Sequence, residues 1–188
     1  MKRPGRKFFS RNTVIIAQDL LGKYLVRRVD NKIIRAKITE TEAYCGPNDL
    51  ANHASKGLTP RTKVMFGPPG HAYIYLIYGM YHCLNIVTEK KGYPAAVLIR
   101  GCELIPPPNL KFKIFNLKLL KKRIDGPGKL CRELKIDKGL NGKDICISKE
   151  LWIEDGERVS AKLIRKSKRV GVDYAGKWKD KLWRFMIK

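Results

Sequence analysis

The sequence predicts an α+β fold in one domain spanning residues 1–188. Three observations carry that expectation. Apolar residues recur at helical spacing in a few short segments, β-branched and aromatic residues alternate in several others, and no regular strand–helix–strand rhythm links the two kinds. Short strands joined by turns point to a mostly antiparallel sheet rather than a doubly wound parallel one. With 44% hydrophobic and 30% charged residues, the chain has enough apolar material for one sizeable core.

The elements follow in order. Residues 1–7, MKRPGRK, are expected to form a mobile basic arm. With Ser10 or Asn12 as N-cap, Val14, Ala17, Leu20 and Leu21 share one helical face, and Gly22 ends that helix. A strand over residues 23–29, a turn at Asp30-Asn31 and a second strand from Lys32 make a hairpin. Residues 72–88 read as another hairpin around Tyr78-Gly79-Met80, and residues 95–101 as a further strand. The proline run 106–108 marks a loop, and residues 110–124 can form a helix with six Lys or Arg and no acid. Gly126-Pro127-Gly128 introduces a helix carrying Leu130, Cys131 and Leu134. From residue 151 the pattern is one of short strands, with six positive residues and no acid over residues 158–169. No internal repeat is visible.

Charge narrows the function. Forty Lys and Arg against seventeen Asp and Glu give +23, well beyond the magnitude of about 2–8 that solubility asks of a small domain. A polyanionic partner explains the excess, and nucleic acid and anionic membrane both qualify. Residues 71–87 are the most apolar-looking run, yet they hold four tyrosines, two histidines, a glycine and an asparagine, too polar for a spanning helix. The basic N-terminus is followed by RNTVIIAQD rather than an apolar signal core, so no export and a cytoplasmic location are expected. Five cysteines without a CxxC pair read as buried, reduced thiols, not as a disulfide framework or zinc site. Three histidines and no HExxH give metal catalysis little to build on.

One stretch departs from the basic background. Residues 38–55, ITETEAYCGPNDLANHAS, carry three acids and no Lys or Arg. Alternation along the second strand puts Ile34, Ala36, Ile38, Glu40, Glu42 and Tyr44 on one face, so two carboxylates continue an apolar row. A carboxylate at a strand end is ordinarily exposed or paired. Here a tyrosine follows two residues on, then a Gly46-Pro47 turn and His53, so an acid, an aromatic platform and an imidazole can converge on one cavity.

These residues resemble the signature of the alkyladenine (3-methyladenine) DNA glycosylase family. The run Thr39-Glu40-Thr41-Glu42-Ala43-Tyr44, with Gly46-Pro47 and His53, begins the match. It continues through Thr59-Pro60-Arg61, Met65-Phe66, Pro69-Gly70, the stretch from Tyr73 through Tyr75 and Tyr78 to Tyr81, Leu84-Asn85 and Val97-Leu98-Ile99-Arg100. Gly126-Pro127-Gly128-Lys129-Leu130 and Arg169-Val170-Gly171 complete it. Their order and spacing cover nearly the whole chain. Asp173-Tyr174 and Leu182-Trp183 depart from the glycine- and proline-containing versions of the family.

The resemblance implies a curved, mostly antiparallel, partly barrel-like sheet surrounded by helices. It also implies a monofunctional enzyme that flips alkylated purines from double-stranded DNA, hydrolyses the N-glycosidic bond and leaves an abasic site, as a monomer without metal or cofactor. By the same resemblance Glu42 is the general base, and Arg100 and the Val170 carbonyl help hold the attacking water. Tyr44 and His53 sandwich the flipped base, Tyr75 closes an edge, and Asn85 opposes the 2-amino group of guanine. Tyr78, on the face opposite Tyr73 and Tyr75 by alternation, is the wedge that fills the duplex gap, while Arg61 and Lys129 meet phosphates. Glu40 is given no role beyond pairing at the surface or with backbone. Read without the resemblance, a bifunctional lysine nucleophile and a non-catalytic nucleic-acid-binding protein both stay open.

Overall fold

The computed structural model describes residues 1–106 and 122–188. Most of the basic helix expected over residues 110–124 lies outside them, and its last two residues instead belong to a strand, Arg123–Asp125.

The fold is mixed α+β, as the sequence predicts. Three short helices, α1 (Arg6–Phe9), α2 (Thr13–Asp19) and α3 (Pro127–Glu133), accompany nine strands among the described residues. The strands are β1 (Tyr24–Val29), β2 (Lys32–Cys45), β3 (Ala72–Ile77), β4 (Tyr81–Val87), β5 (Ala95–Ile105), β6 (Arg123–Asp125), β7 (Leu151–Glu154), β8 (Ile164–Ser167) and β9 (Arg184–Ile187). They form one antiparallel sheet in the order β3-β4-β5-β2-β1-β7, with β6 on β5, and β9 joining β2 to β8. The path is open: β3 and β7 end it and do not pair, so the sheet does not close into a barrel.

Local chemistry explains the first elements. Asn12 caps α2, its side-chain oxygen accepting from the amides of Val14 and Ile15 at 3.0 and 3.3 Å. Gly22 takes φ +83° past the helix end. Ile16, Ala17, Leu20 and Leu21 are buried against β1, β2 and β5, each large aliphatic contributing about 1.5–3 kcal/mol. The expected mobile arm is instead pinned. The Lys2 carbonyl accepts from Asp155, Arg3 donates to the Ser148 carbonyl at 2.8 Å and lies 4.2 Å over the Trp152 ring, and Arg6 reaches Pro69 and Asp144. Planar guanidinium groups find acceptors and a ring face there, which a count of charges does not reveal.

β2 is the organising strand, fourteen residues long. β5 runs beside it, while β1 covers the first half of its other edge and β9 the second. The register with β5 slips on either side of Glu40: Ile38 faces Cys102, Glu40 faces Gly101 and Thr41 faces Ile99. Ile38 and Ala43 therefore both enter the core, as do Cys102 and Ile99, although odd spacings should put each pair on opposite faces. This overturns the single row expected from alternation. Thr41 turns inward, its hydroxyl donating to the Ala17 carbonyl at 2.7 Å, and the glutamates leave the main core for the other side of the sheet.

Three of the cysteines, Cys83, Cys102 and Cys131, are buried, and Cys45 and Cys146 are half-buried; all are free thiols. No helix among the described residues is long and apolar enough to cross a membrane.

Candidate active site

On the face opposite the core lies a cavity of about 490 Å³. Its walls come from the end of β2, the turn after it, the β3–β4 hairpin, β5, the start of α3 and the segment around Val170. Tyr44, His53, Tyr73 and Tyr75 make it aromatic, and Asn85 and Arg100 add polar groups. Alternation sends Tyr73 and Tyr75 of β3, and Cys83 and Asn85 of β4, to this face while Ile74, Leu84 and Ile86 join the core.

His53 sits on a short 3-10 turn fixed by buried Asn52. The Asn52 amide nitrogen donates to the carbonyls of Gly46 and Pro94 at 2.9 and 2.8 Å, and its oxygen accepts from Ala54. The imidazole meets the Tyr75 ring edge-on at 4.4 Å, and its Nδ1 lies 3.1 Å from the Tyr73 hydroxyl. Burial, aided by the nearby Arg61 charge, lowers the His53 pKa to about 4, so its ring is neutral at physiological pH. The Arg61 guanidinium lies 5.2 Å over the Tyr75 ring.

Glu42 does not itself line the cavity. Its side chain is fully buried, one layer behind a wall made by Tyr44, Arg100 and Val170. One carboxylate oxygen accepts from the Val170 amide at 2.9 Å and lies 3.5 Å from Nε of Arg100, and the other accepts from the Tyr44 hydroxyl at 2.8 Å. Burial pushes its pKa up, against the opposing pull of Arg100, the Val170 amide and Tyr44. The carboxylate is thus held in place and kept more basic than an exposed one. Val170 meets Glu42 through its N–H, a contact separate from the water-holding role expected of its carbonyl.

Glu40 is not a surface residue. It is 7% exposed and accepts from Nε of Arg100 at 2.9 Å and Nε of Arg184 at 2.7 Å. A second buried pair braces the site from behind. Asp49 and Arg169 have fully buried side chains joined at 2.5 and 2.8 Å. Asp49 also accepts from the amides of Cys45 and Ala51, and Arg169 donates to the carbonyls of Ala43 and Trp178. The pair therefore ties the end of β2, the turn leading to His53 and the segment bearing Val170 to one another. The Arg169 guanidinium also lies 4.8 Å over the Tyr44 ring.

Of the residues singled out from sequence, Tyr44, His53, Tyr75, Tyr78, Asn85, Arg100 and Val170 all line the cavity, and Glu42 bonds to its wall. Tyr78 reaches the same cavity as Tyr73 and Tyr75, not the opposite face. The turn after Ile77 has φ +54° at Tyr78 and +69° at Gly79, which ends the alternation and leaves Tyr78 81% exposed at the tip. Arg61 lies in an adjoining depression that shares Asn52, His53 and Tyr174 with the cavity. Lys129 is exposed on the first turn of α3, outside the wall to which Pro127 and Gly128 contribute. Gly128 allows that approach, because a Cβ there would stand 3.0 Å from Cβ of Tyr81. Sequence reasoning passed over Asp49, Arg169, Asn52, Tyr73 and Arg184. For Asp49 a signal existed: it is the one remaining acid in the stretch that holds Glu40 and Glu42.

The profile of the methylpurine-DNA glycosylase family (MPG) matches residues 7–188. A protein of Methanocella arvoryzae named "Putative 3-methyladenine DNA glycosylase" is 53% identical over 184 residues, covering 97% of this chain and 91% of its own. Proteins of the same name from Desulfitobacterium hafniense and Legionella pneumophila are 45% and 47% identical, each covering 100% of this chain and 96% of their own.

Proposed function

Because the chain belongs to the methylpurine-DNA glycosylase family, and is thereby a hydrolase of N-glycosyl bonds in DNA, we propose that it flips alkylated purines out of duplex DNA and releases them, leaving an abasic site. The observation that carries this reading is a solvent-shielded carboxylate, Glu42, held by Val170, Tyr44 and Arg100 behind a cavity walled by aromatic rings in a chain of net charge +23.

The sugar C1′ is shielded in a duplex, so the damaged nucleotide must leave the stack, at a cost of a few kcal/mol. The exposed Tyr78 ring at the hairpin tip fills the gap that remains. Stacking on Tyr44, His53 and Tyr75 returns about 1–3 kcal/mol per base. A cationic methylated purine gains about 0.5–2 kcal/mol more from electron-rich faces, and neutral His53 adds no repulsion. Asn85, buried with its amide donating to the Tyr73 carbonyl at 3.3 Å, opposes the 2-amino group of guanine. Arg61 and Lys129 meet phosphates.

For Glu42 to take a proton from the water that attacks C1′, that water must enter between Tyr44, Arg100 and Val170, the wall residues the carboxylate touches; from there its charge stabilises the oxocarbenium character that develops at C1′. Arg100, which borders both the cavity and Glu42, orients that water. The base leaves with the glycosidic electron pair, and the strand stays intact as an abasic site. Action as a monomer, in the cytoplasm or on a nucleoid, completes the reading.

Glu42→Gln keeps the shape of the side chain and removes the base. It should bind a duplex carrying one methylated purine as the wild type does and release that purine about 10²–10⁴-fold more slowly under single-turnover conditions. Near-normal release would refute the assignment. Abasic sites revealed only by alkali, without spontaneous strand breaks, separate this enzyme from a lysine-based lyase and from a protein that merely binds.

A further inference from the structure

We propose that Glu40 is a positioning residue for the reaction: by engaging the guanidinium groups of Arg100 and Arg184, it keeps Glu42 out of a full ion pair and so preserves its strength as a base. The proposal rests on Glu42 being the general base.

The geometry divides the two carboxylates. Nε of Arg100 lies 2.9 Å from Glu40 and 3.5 Å from Glu42, so its proton is given to Glu40 and Glu42 feels the charge without that hydrogen bond. Arg184 likewise points its Nε at Glu40, at 2.7 Å, although in the β2–β9 ladder its own partner is Glu42. Both cations are thus directed to the carboxylate two residues before Glu42 and away from the base itself. Gly101 makes the arrangement possible. It faces Glu40 across the register slip, and a Cβ there would stand 3.0 Å from Cβ of Glu40 and 3.4 Å from its carboxylate. The slip and the missing side chain together let Glu40 lie over β5 and meet Arg100.

The charged and titratable groups around the pair are few. Glu42 is faced by Arg100 from β5, Arg184 from β9, the Cys83 thiol from β4, the Val170 amide from the tail segment and Tyr44 from its own strand. Glu40 is faced by Arg100, Arg184 and, from β6, Arg123. Removing the Glu40 charge acts on Glu42 in one direction by two routes: a like charge disappears, and the two guanidinium groups are left with a single carboxylate between them. Each route favours ionised Glu42 and lowers its proton affinity. A carboxylate so stabilised is a poorer proton acceptor in the transition state.

The test is the pH dependence of single-turnover release from a duplex with one 7-methylguanine, a cationic base that needs no proton from the enzyme. For Glu40→Gln the acid limb should move down by about one pH unit and the plateau fall by up to about ten-fold, with duplex affinity kept within about two-fold. Glu40→Asp should return the limb toward the wild-type position. An unshifted limb overturns the proposal whether or not the plateau falls, because a merely structural loss lowers the rate without moving the limb. Arg184→Gln gives an independent arm of opposite sign: one cation fewer raises the limb, and no shift or a downward one overturns the proposal even if Glu40→Gln does not fold. Glu42→Gln separates the two levels. Normal release by that variant defeats the parent reading, whereas an inactive Glu42→Gln beside an unshifted Glu40→Gln defeats this inference alone.

Discussion

Asp49→Ala should cost this protein a large part of its stability. The carboxylate accepts two hydrogen bonds from Arg169 and one each from the amides of Cys45 and Ala51, and both side chains of the ion pair are 0% exposed. Opposite charges about 4 Å apart interact by about 4 kcal/mol at an effective dielectric of about 20. Breaking a buried pair from one side typically costs about 3–5 kcal/mol, because the surviving charge is left without compensation. Against a total stability of about 5–15 kcal/mol, that is roughly a fifth of the total at the least. With a urea dependence of about 2 kcal/mol per molar, the midpoint of equilibrium unfolding should fall by about 1.5–2.5 M. Fluorescence of Trp178 and Trp183, which lie beside Arg169, is a direct readout. The double variant Asp49→Ala with Arg169→Met removes both charges and should recover at least half of the loss. A single-variant loss below about 1 kcal/mol would refute the reasoning, since the pair would then not be the buried brace described.

Two further outcomes follow from the site. The His53 pKa is about 4 in the folded protein against an ordinary 6.5, so between those values the unfolded chain binds the extra proton and stability falls as pH falls from 6.5 to 4. The thermal midpoint of wild type should drop more steeply across that window than that of His53→Gln, and equal slopes would contradict a neutral, buried ring. Tyr78 pays for its exposed place with φ +54°, a conformation Asn tolerates better, so Tyr78→Asn should stabilise the fold by about 1 kcal/mol in thermal unfolding. The same variant should release methylated purine from duplex more slowly than wild type, with the deficit reduced on single strands; equal deficits on both would remove Tyr78 from the extrusion step.

Much of the architecture was legible because its causes are local. Asn12 and Gly22 bracket α2, Asp30-Asn31 turns the first hairpin, and alternation from Tyr73 to Tyr75 gives the cavity face of β3. What was not legible depends on partners far along the chain. The slip at Glu40 arises where β5 meets β2, so strict alternation misplaced the glutamates relative to Ile38. The partners of Glu40, Arg100 and Arg184, stand 60 and 144 positions away and converge on it only in the folded chain. Asp49 and Arg169 are 120 residues apart, and no spacing rule links them. The arm at residues 1–7 read as loose because its acceptors, Ser148 and Asp144, and its ring, Trp152, belong to the other end of the chain.

An open sheet must do something with its borders. β3 is sheathed by the segment after α3: the Lys143 carbonyl accepts from Ala72 at 2.8 Å, Gly142 donates to the Ala72 carbonyl at 2.7 Å and the Asn141 side chain accepts from Ile74 at 2.9 Å. β8, held on one side by β9, has exposed Arg165 and Lys166 along it and Lys162 and Lys168 at its ends. A second copy approaching that border strand to strand meets its own sign of charge. Colloidal behaviour therefore follows the ionic medium: dilute salt keeps neighbouring molecules apart, and concentrated salt, by screening the row within a few ångströms, withdraws the safeguard against fibrous or amorphous association.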